Sequence, residues 1–134
     1  MSFHSYSNSL RDQLIQPLVV LIDYVYVRAM KFKIFIDGEA GTTGLKVAER
    51  LKTHPHVSIL GIDAAYRKDE SARADMMAAS DITILCLPDA AAIDAARLAA
   101  ESKTRLIDAS SAHRTHSEWV YGFAELQPGQ RDAI

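Results

Sequence analysis

The stretch "KIFIDGEAGTTGLKVAERL", residues 33–51, joins an apolar run to a helix-like run through Gly38, Gly41 and Gly44. Each glycine loses more conformational freedom on folding than alanine would, so three of them at intervals of three indicate a close approach to the backbone. The spacing is GxxGxxG, and such a pattern alone is a weak signal because glycine turns are frequent. Its meaning depends on the segments around it.

Short apolar segments alternate with helix-like segments along most of the chain. We expect Pro88 to end the third strand and Asp89 to cap the helix that follows. Strands that are almost continuously apolar and alternate with helices predict an α/β fold, a doubly wound parallel sheet covered on both faces. The pattern predicts strands at 32–36, 57–62, 81–87 and 104–110, and helices at 45–52, from near Asp69 or Ser71, and from 89 to about 100.

The glycine loop would connect the first strand to the first helix, at the carboxyl edge of the sheet. A helix N-terminus offers free N–H groups and partial positive charge there, which suits a pyrophosphate. We expect Gly38 to allow the tight turn, Gly41 to let phosphates reach the backbone, and Gly44 to let the helix lie close to the strand. Thr42 and Thr43 would add hydroxyl donors. The loop is therefore predicted to bind a dinucleotide.

Composition excludes several classes of protein. The chain has 134 residues, of which 49% are hydrophobic and 24% charged, so it fits one soluble domain with a core. A net charge of −2 offers no basic field for nucleic acid. The single cysteine, Cys86, excludes an internal disulfide and any multi-cysteine metal cluster. It suits a reducing compartment, and we expect a cytoplasmic protein.

The first 29 residues differ from the rest and are interpreted as an amino-terminal appendage to a domain at residues 30–134. The appendage is polar at its start and apolar later, but Gln16, Pro17 and Asp23 interrupt the apolar part. It is therefore too short to span a bilayer and lacks the features of a secretory signal. Residues 18–27 suit either an edge strand or a short helix, and no membrane partner is expected.

Five collinear segments carry a resemblance to a known family. Together they cover about residues 30–134, and their sequences are "IFIDGEAGTTG", "YRKD", "LCLPDAAA", "IDASSAHRT" and "WVYGFAEL". The chain closely resembles N-acetyl-gamma-glutamyl-phosphate reductase in its shorter bacterial form. The resemblance implies a Rossmann-like nucleotide domain followed by an α/β catalytic domain. It also implies an NADPH-dependent enzyme of arginine biosynthesis that reduces an acyl phosphate to an aldehyde through a cysteine thioester.

The catalytic cysteine of that family lies in an Asn-Pro-Gly-Cys type segment downstream of the last motif, and a histidine base lies further on. This chain ends at "GQRDAI" before either segment, so we expect the catalytic domain to be missing and no catalytic residue to be present. The fragment would then be inactive alone. A free-standing, non-catalytic nucleotide-binding or assembly module remains an alternative. A related semialdehyde dehydrogenase is a weaker one, because it shares the glycine pattern but not the "YGF-EL" stretch. Among partners, a second copy of this chain in a homo-oligomer is an open alternative.

Two signals near the second strand conflict over the cofactor. Asp63 follows the strand about twenty residues after the loop, where an acidic side chain would accept the ribose 2′-OH of NAD. Arg67 and Lys68 come next and could pair with the 2′-phosphate of NADP. The basic pair matches the "RKD" segment of the family, which favours NADP, with Asp63 turned away or only ending the strand. A solvated basic turn is the simpler alternative.

Further candidates follow the third and fourth strands. Pro88 and Asp89 would face the cofactor, although Asp89 could serve only as a helix cap. By resemblance, Ser110 and Arg114 are candidates for binding a small-molecule substrate, since a guanidinium fork suits a carboxylate or phosphate. A buried ion pair is the alternative for Arg114.

His113 belongs to the cluster of hydrogen-bond donors after the fourth strand, but neither a metal site nor a reactive thiol is expected. His113 and His116 could share a helical face, but they lack an obvious third ligand, so no metal site is expected. Cys86 lies in the third predicted strand, where burial on both faces would raise the pKa of the thiol and make the residue structural.

Overall fold

The computed structural model describes residues 31–134, and the predictions for residues 1–29 lie outside this part of the chain. The strands are β1 (Phe32–Asp37), β2 (Val57–Leu60), β3 (Ile82–Leu85) and β4 (Arg105–Asp108). The helices are α1 (Thr42–Lys52), α2 (Glu70–Ala79), α3 (Asp89–Ala99) and the short α4 (Gln130–Ala133), with a 3₁₀ turn at Ala64–Tyr66. Among these helices, none is both long and apolar enough to cross a membrane.

The four strands form one sheet in the order β2-β1-β3-β4, and every neighbouring pair is parallel. Ile34 at the middle of β1 lies opposite Ile59 of β2 on one side and Ile82 of β3 on the other. The chain therefore moves outward from β1 in both directions. In open parallel sheets, the crevice at such a reversal is where ligands bind, and here it lies at the carboxyl ends of β1 and β3.

Helices cover the two faces of the sheet. On one face, Phe35 and Leu85 pack against Met77 of α2 and the alanines of α3. On the other face, a cluster of isoleucines packs against Val47, Ala48 and Leu51 of α1. The predicted doubly wound α/β sheet is thus confirmed. Coverage is incomplete at β4, where the side chain of Ile107 is 52% exposed in the described structure.

The element boundaries differ from prediction mainly at the carboxyl edge. β3 ends at Leu85, two residues early, and β2 and β4 are likewise shorter than their apolar runs. Helix α1 begins at Thr42, so Gly44 lies in its first turn rather than in the loop. Helix α2 begins where expected, because Asp69 accepts a hydrogen bond from the N–H of Ala72 at 2.7 Å and caps it.

Candidate functional site

The glycine loop is closely packed against its own chain. Gly38 has φ = +91°, and a Cβ there would lie 2.4 Å from the carbonyl oxygen of Cys86. A Cβ on Gly44 would lie 2.2 Å from the carbonyl oxygen of Gly38. Gly44 therefore allows the first turn of α1 to lie close to the glycine loop. Gly41 is exposed, and a Cβ there would meet only the Gly38 oxygen, at 3.3 Å, and the Cys86 oxygen, at 3.9 Å. The loop therefore bends sharply while leaving the outer side of Gly41 open.

The N-terminus of α1 has backbone donors to offer. Gly41 is the N-cap residue, and no side chain caps the helix. The N–H groups of Thr42, Thr43 and Gly44 donate to no described residue, whereas Leu45 already donates to the carbonyl of Gly41 at 2.9 Å. Three free N–H groups at a helix start, preceded by an open glycine, fit a phosphate group of a dinucleotide.

The loops after β1 and β3 meet beside this helix start. Asp37 at the end of β1 accepts a backbone hydrogen bond from Cys86 at 2.8 Å, which holds the two strand ends together. A cavity of about 250 Å³ opens at this point. It is lined by Thr42, Thr43, Cys86, Leu87, Pro88 and Ala109. The structure thus brings the two threonines and Pro88, all predicted to contact the cofactor, to the crevice between β1 and β3.

Asp89 does not cap α3 as predicted. Pro88 occupies the N-cap position, and Asp89 is the first helical residue. Its carboxylate accepts two hydrogen bonds from Ser111, one from the N–H at 3.1 Å and one from the hydroxyl at 2.7 Å. The prediction was wrong because a partner from the turn after β4 competes for the same carboxylate. Asp89 consequently ties the loop after β3 to the loop after β4.

The prediction that Cys86 is buried on both faces of a strand was also wrong. The residue follows the end of β3, is half-buried and lines the crevice cavity. Its thiol pKa is nevertheless raised, first by burial and then by the negative charges of Asp108 and Asp37. A raised pKa disfavours the thiolate, so the described surroundings do not activate Cys86 as a nucleophile.

The end of β2 carries the residues predicted to select the cofactor. Asp63 caps the 3₁₀ turn, and its Oδ1 accepts a hydrogen bond from the N–H of Ala65 at 2.9 Å. Arg67 and Lys68 follow the turn, and both are exposed. One carboxylate oxygen is therefore used locally, whereas neither basic side chain forms an ion pair with a described residue.

An ion pair that the sequence did not suggest lies under the glycine loop. The carboxylate of Asp37 receives Nε and Nη2 of Arg73 from α2, with the closest contact at 2.7 Å. The side chains are only 5% and 15% exposed for Asp37 and Arg73. A charged residue at the end of an otherwise apolar strand could have signalled a buried partner, but nothing in the sequence indicates that the partner is Arg73.

A second cluster lies at the end of β4. The two oxygens of Asp108 accept hydrogen bonds at 2.8 Å from the N–H and hydroxyl of Ser110, and Oδ2 lies 2.7 Å from Nδ1 of His113. The ring of Trp119 stacks on His113 with centroids 4.1 Å apart. Burial alone would raise the pKa of the Asp108 carboxyl, but the hydrogen bonds from His113 and Ser110 outweigh it and hold the pKa below its ordinary value.

This cluster lines a groove of about 870 Å³ that also includes Arg114 and the exposed face of β4. Arg114 is exposed and forms no ion pair with a described residue, so the alternative of a buried pair is not observed. Ala109 lines both the groove and the crevice cavity, which places the predicted substrate residues beside the predicted cofactor residues. Sequence reasoning missed Asp108 and Trp119.

His113 lies in a turn and His116 lies directly after it, so neither is on a helix, and the ring centroids are 6.3 Å apart. His113 is instead engaged by Asp108 and Trp119. Within residues 31–134, no group of three or more histidine, cysteine, aspartate or glutamate side chains is arranged to hold a metal ion.

Comparison with known proteins agrees with this geometry. Residues 33–134 match the family model for the semialdehyde dehydrogenase NAD-binding domain. Among curated relatives, the N-acetyl-gamma-glutamyl-phosphate reductases of Trichormus variabilis and Brucella ovis are each 51% identical to this chain, over 104 and 106 residues. Each match covers 78% of this chain but only 32% and 34% of the relatives.

The chain therefore spans about a third of the length of the curated relatives that it matches. The resemblance carried by the five sequence segments is confirmed, since the relatives bear the name of the family it indicated. The glycine loop, the parallel sheet and the crevice all agree with a domain that binds a nicotinamide dinucleotide. The chain belongs to the family of semialdehyde dehydrogenase NAD-binding domains.

Proposed function

We propose that this chain binds NADP and forms the nucleotide-binding part of an N-acetyl-gamma-glutamyl-phosphate reductase in arginine biosynthesis. The observation that supports it most is the open N-terminus of α1, where Gly41 is exposed and the N–H groups of Thr42, Thr43 and Gly44 donate to no described residue. A dinucleotide with its pyrophosphate there would extend along the carboxyl ends of the strands. The relatives' names supply the reaction, and the enzyme would work in the cytoplasm on a small-molecule substrate.

Each part of the crevice has a separate task in this proposal. The backbone of Gly41, Thr42 and Thr43 holds the phosphates, and the loop at Pro88 limits the crevice from the β3 side. NADPH, when bound, supplies the hydride that reduces the acyl group to an aldehyde. The cysteine and histidine of the thioester chemistry would belong to the part of such a reductase beyond the matched third.

The choice of NADP over NAD depends on the end of β2. Arg67 and Lys68 are exposed and free to form charge-assisted hydrogen bonds to a 2′-phosphate. Asp63, the residue that would accept the ribose 2′-OH of NAD, already accepts a hydrogen bond within its own turn. Both features favour the phosphorylated cofactor.

Calorimetric titration of the 134-residue chain with NADPH and with NADH tests the proposal. We expect both to bind, with NADPH at least about tenfold tighter, because the phosphate gains charge-assisted hydrogen bonds that a hydroxyl cannot make. Equal affinity for the two cofactors would refute the selection of NADP. Absence of binding by either one would refute the proposed function of the crevice.

The reaction is tested separately. The reverse reaction is oxidation of N-acetyl-glutamate semialdehyde in phosphate buffer, with reduction of NADP followed at the absorbance of NADPH. We expect no turnover by this chain alone. Turnover that disappears in Cys86→Ser would contradict both this expectation and the unactivated state of the thiol.

A further inference from the structure

A buried carboxylate lies directly before the proposed phosphate site. Asp37 is the last residue of β1 and is followed by Gly38, the first glycine of the loop. Its side chain is only 5% exposed, so water screens its charge poorly. An ionised carboxylate without a counter-charge at this position would repel the pyrophosphate of a dinucleotide. The glycine loop can therefore bind an anion well only if the charge of Asp37 is compensated.

The charge of Asp37 acts within the crevice itself. Cys86 lines the same cavity as Thr42 and Thr43. Burial raises the pKa of the Cys86 thiol most, and the charges of Asp108 and Asp37 raise it further. The electrostatic field of Asp37 thus reaches the space expected for the cofactor.

Arg73 of α2 supplies a fixed positive charge for this carboxylate. Its Nε lies 3.3 Å from Oδ1 and 3.2 Å from Oδ2 of Asp37, and its Nη2 lies 2.7 Å from Oδ2. Within residues 31–134, no other basic side chain forms an ion pair with Asp37. A guanidinium stays protonated throughout the pH range in which proteins are folded, so the compensation is permanent.

We propose that Arg73 neutralises Asp37 beside the glycine loop and thereby allows the N-terminus of α1 to bind the anionic pyrophosphate of the cofactor. The inference rests on the proposed nucleotide-binding function and adds a residue of α2 to it. Arg73 is a positioning residue, because it acts on the cofactor through Asp37. A pair with only a structural role would lose cofactor affinity when either charge is removed, whereas charge compensation requires opposite effects.

Calorimetric titration of charge variants with NADPH tests this difference. Arg73→Gln leaves the negative charge of Asp37 alone, so we expect the affinity to fall about tenfold. Asp37→Asn leaves the positive charge of Arg73 alone and should make NADPH bind more tightly than in the unaltered chain. The double variant should return towards the unaltered affinity. Arg97→Gln, which removes an arginine from an exposed pair on α3, is the matched control and should change nothing.

A loss of affinity in both single variants would overturn the inference. Arg73→Lys keeps the charge and loses the guanidinium fork, so its affinity for NADPH should stay within about threefold of the unaltered value even if stability falls. A loss of about tenfold in Arg73→Lys would also contradict charge compensation. These two variants, Asp37→Asn and Arg73→Lys, test the inference even if Arg73→Gln does not fold.

The thiol of Cys86 gives a second measurement that needs no cofactor. Its pKa can be obtained from the pH dependence of alkylation by iodoacetamide. We expect Arg73→Gln to raise this pKa, because the charge of Asp37 is then unopposed, and Asp37→Asn to lower it. The same pKa in the unaltered chain and both variants would overturn the inference.

The two measurements together distinguish this inference from the proposed function. Binding of NADPH by the unaltered chain, without opposite effects of the two charge variants, would overturn the inference alone. Opposite shifts of the thiol pKa in a chain that does not bind NADPH would refute the nucleotide-binding function, while supporting the compensation of Asp37 by Arg73.

Discussion

Arg73 of α2 reaches across to Asp37 at the end of β1, with Nη2 2.7 Å from Oδ2, and joins a helix to the strand that leads into the glycine loop. Both side chains are largely buried, so each charge depends on the other for compensation. The pair fixes α2 relative to the carboxyl edge of the sheet. Its loss should therefore affect stability far more than an exposed pair would.

Arg73→Met tests this relationship, because methionine keeps much of the apolar stem and removes the charge. We expect the free energy of unfolding to fall by about 3 kcal/mol, since the Asp37 carboxylate is left buried without a counter-charge. Arg97→Met is the control, because Arg97 pairs with Asp94 on the exposed side of α3. Arg97→Met should lower the free energy of unfolding, measured by urea denaturation, by less than about 1 kcal/mol. Equal losses of stability in the two variants would contradict the expected role of burial.

Two alanine substitutions should separate folding from cofactor binding. Gly44→Ala would bring a Cβ within 2.2 Å of the Gly38 carbonyl, and we expect a loss of more than about 2 kcal/mol of stability. Gly41→Ala meets that carbonyl at 3.3 Å and should fold nearly normally.

Substitutions at Gly41 should affect the affinity for NADPH more than they affect stability. Gly41→Ala, and more strongly Gly41→Val, should weaken NADPH binding while the melting temperature changes little, because the side chain occupies the space expected for the phosphates. Thermal denaturation and calorimetric titration measure the two effects. A folded Gly41→Val chain that binds NADPH with unaltered affinity would rule out the phosphate site at α1.

Replacing Arg67 and Lys68 together by glutamine should remove the preference for NADPH. The affinity for NADPH is expected to fall about tenfold while that for NADH stays the same, because only the 2′-phosphate uses these charges. Raising the salt concentration should narrow the difference in the unaltered chain as well, since both side chains are exposed. An equal loss of affinity for NADPH and NADH would show that Arg67 and Lys68 contact a chemical group that the two cofactors share.

Cys86 should react slowly with iodoacetamide in the folded chain. Its pKa is raised by burial and by nearby Asp108 and Asp37, so the thiolate is scarce at pH 8 and becomes more abundant as pH increases. It is the only cysteine, so mass spectrometry reports it directly, and the chain unfolded in urea is the reference. We expect NADPH to slow the reaction further, because Cys86 lines the same cavity as Thr42. A folded chain that reacts as fast as the unfolded one would contradict the raised pKa.

Asp108 should make the free energy of unfolding depend on pH in the acidic range. Its pKa is lowered in the folded state, so the carboxylate contributes stability above the pKa of the unfolded chain, and this contribution is lost as pH falls through the lower folded value. The stability difference between the unaltered chain and Asp108→Asn should therefore be largest above about pH 4 and decrease below it. Urea denaturation at several pH values measures the difference. A difference that stays constant down to pH 2 would contradict the lowered pKa.

The sequence predicted the sheet and the position of the crevice because these depend on local patterns. Apolar runs that alternate with helix-like runs define a parallel sheet, and the spacing of Gly38, Gly41 and Gly44 marks the first turn. The beginning of α1 at Thr42 escaped prediction because glycine in a first helical turn has poor intrinsic propensity. The structure shows why glycine is needed at position 44, since a Cβ there would lie 2.2 Å from the Gly38 carbonyl oxygen.

Two of the features that the sequence did not reveal depend on partners that are distant in the chain. Asp37 is paired with Arg73, which is 36 residues further along the chain, and Asp89 is hydrogen-bonded to Ser111, which is 22 residues further along. Local rules assigned Asp89 to a helix cap because capping needs only neighbours in the chain. The apolar pattern also made Cys86 part of a strand, although the strand pairing stops at Leu85. Intrinsic propensity describes single segments of the chain. The interactions of these residues depend instead on how separate segments pack together.

The hydrogen bond from the Gly41 N–H to the Gly38 carbonyl, 3.0 Å long, closes the glycine loop from within the chain. Together with the contact at Gly44, it gives the loop its shape without help from a ligand. The conformational entropy of these residues is lost when the chain folds. Binding of the cofactor therefore requires little further ordering of the loop. A preorganised loop of this kind should bind in a single fast step, with an association rate that does not wait for rearrangement of the backbone.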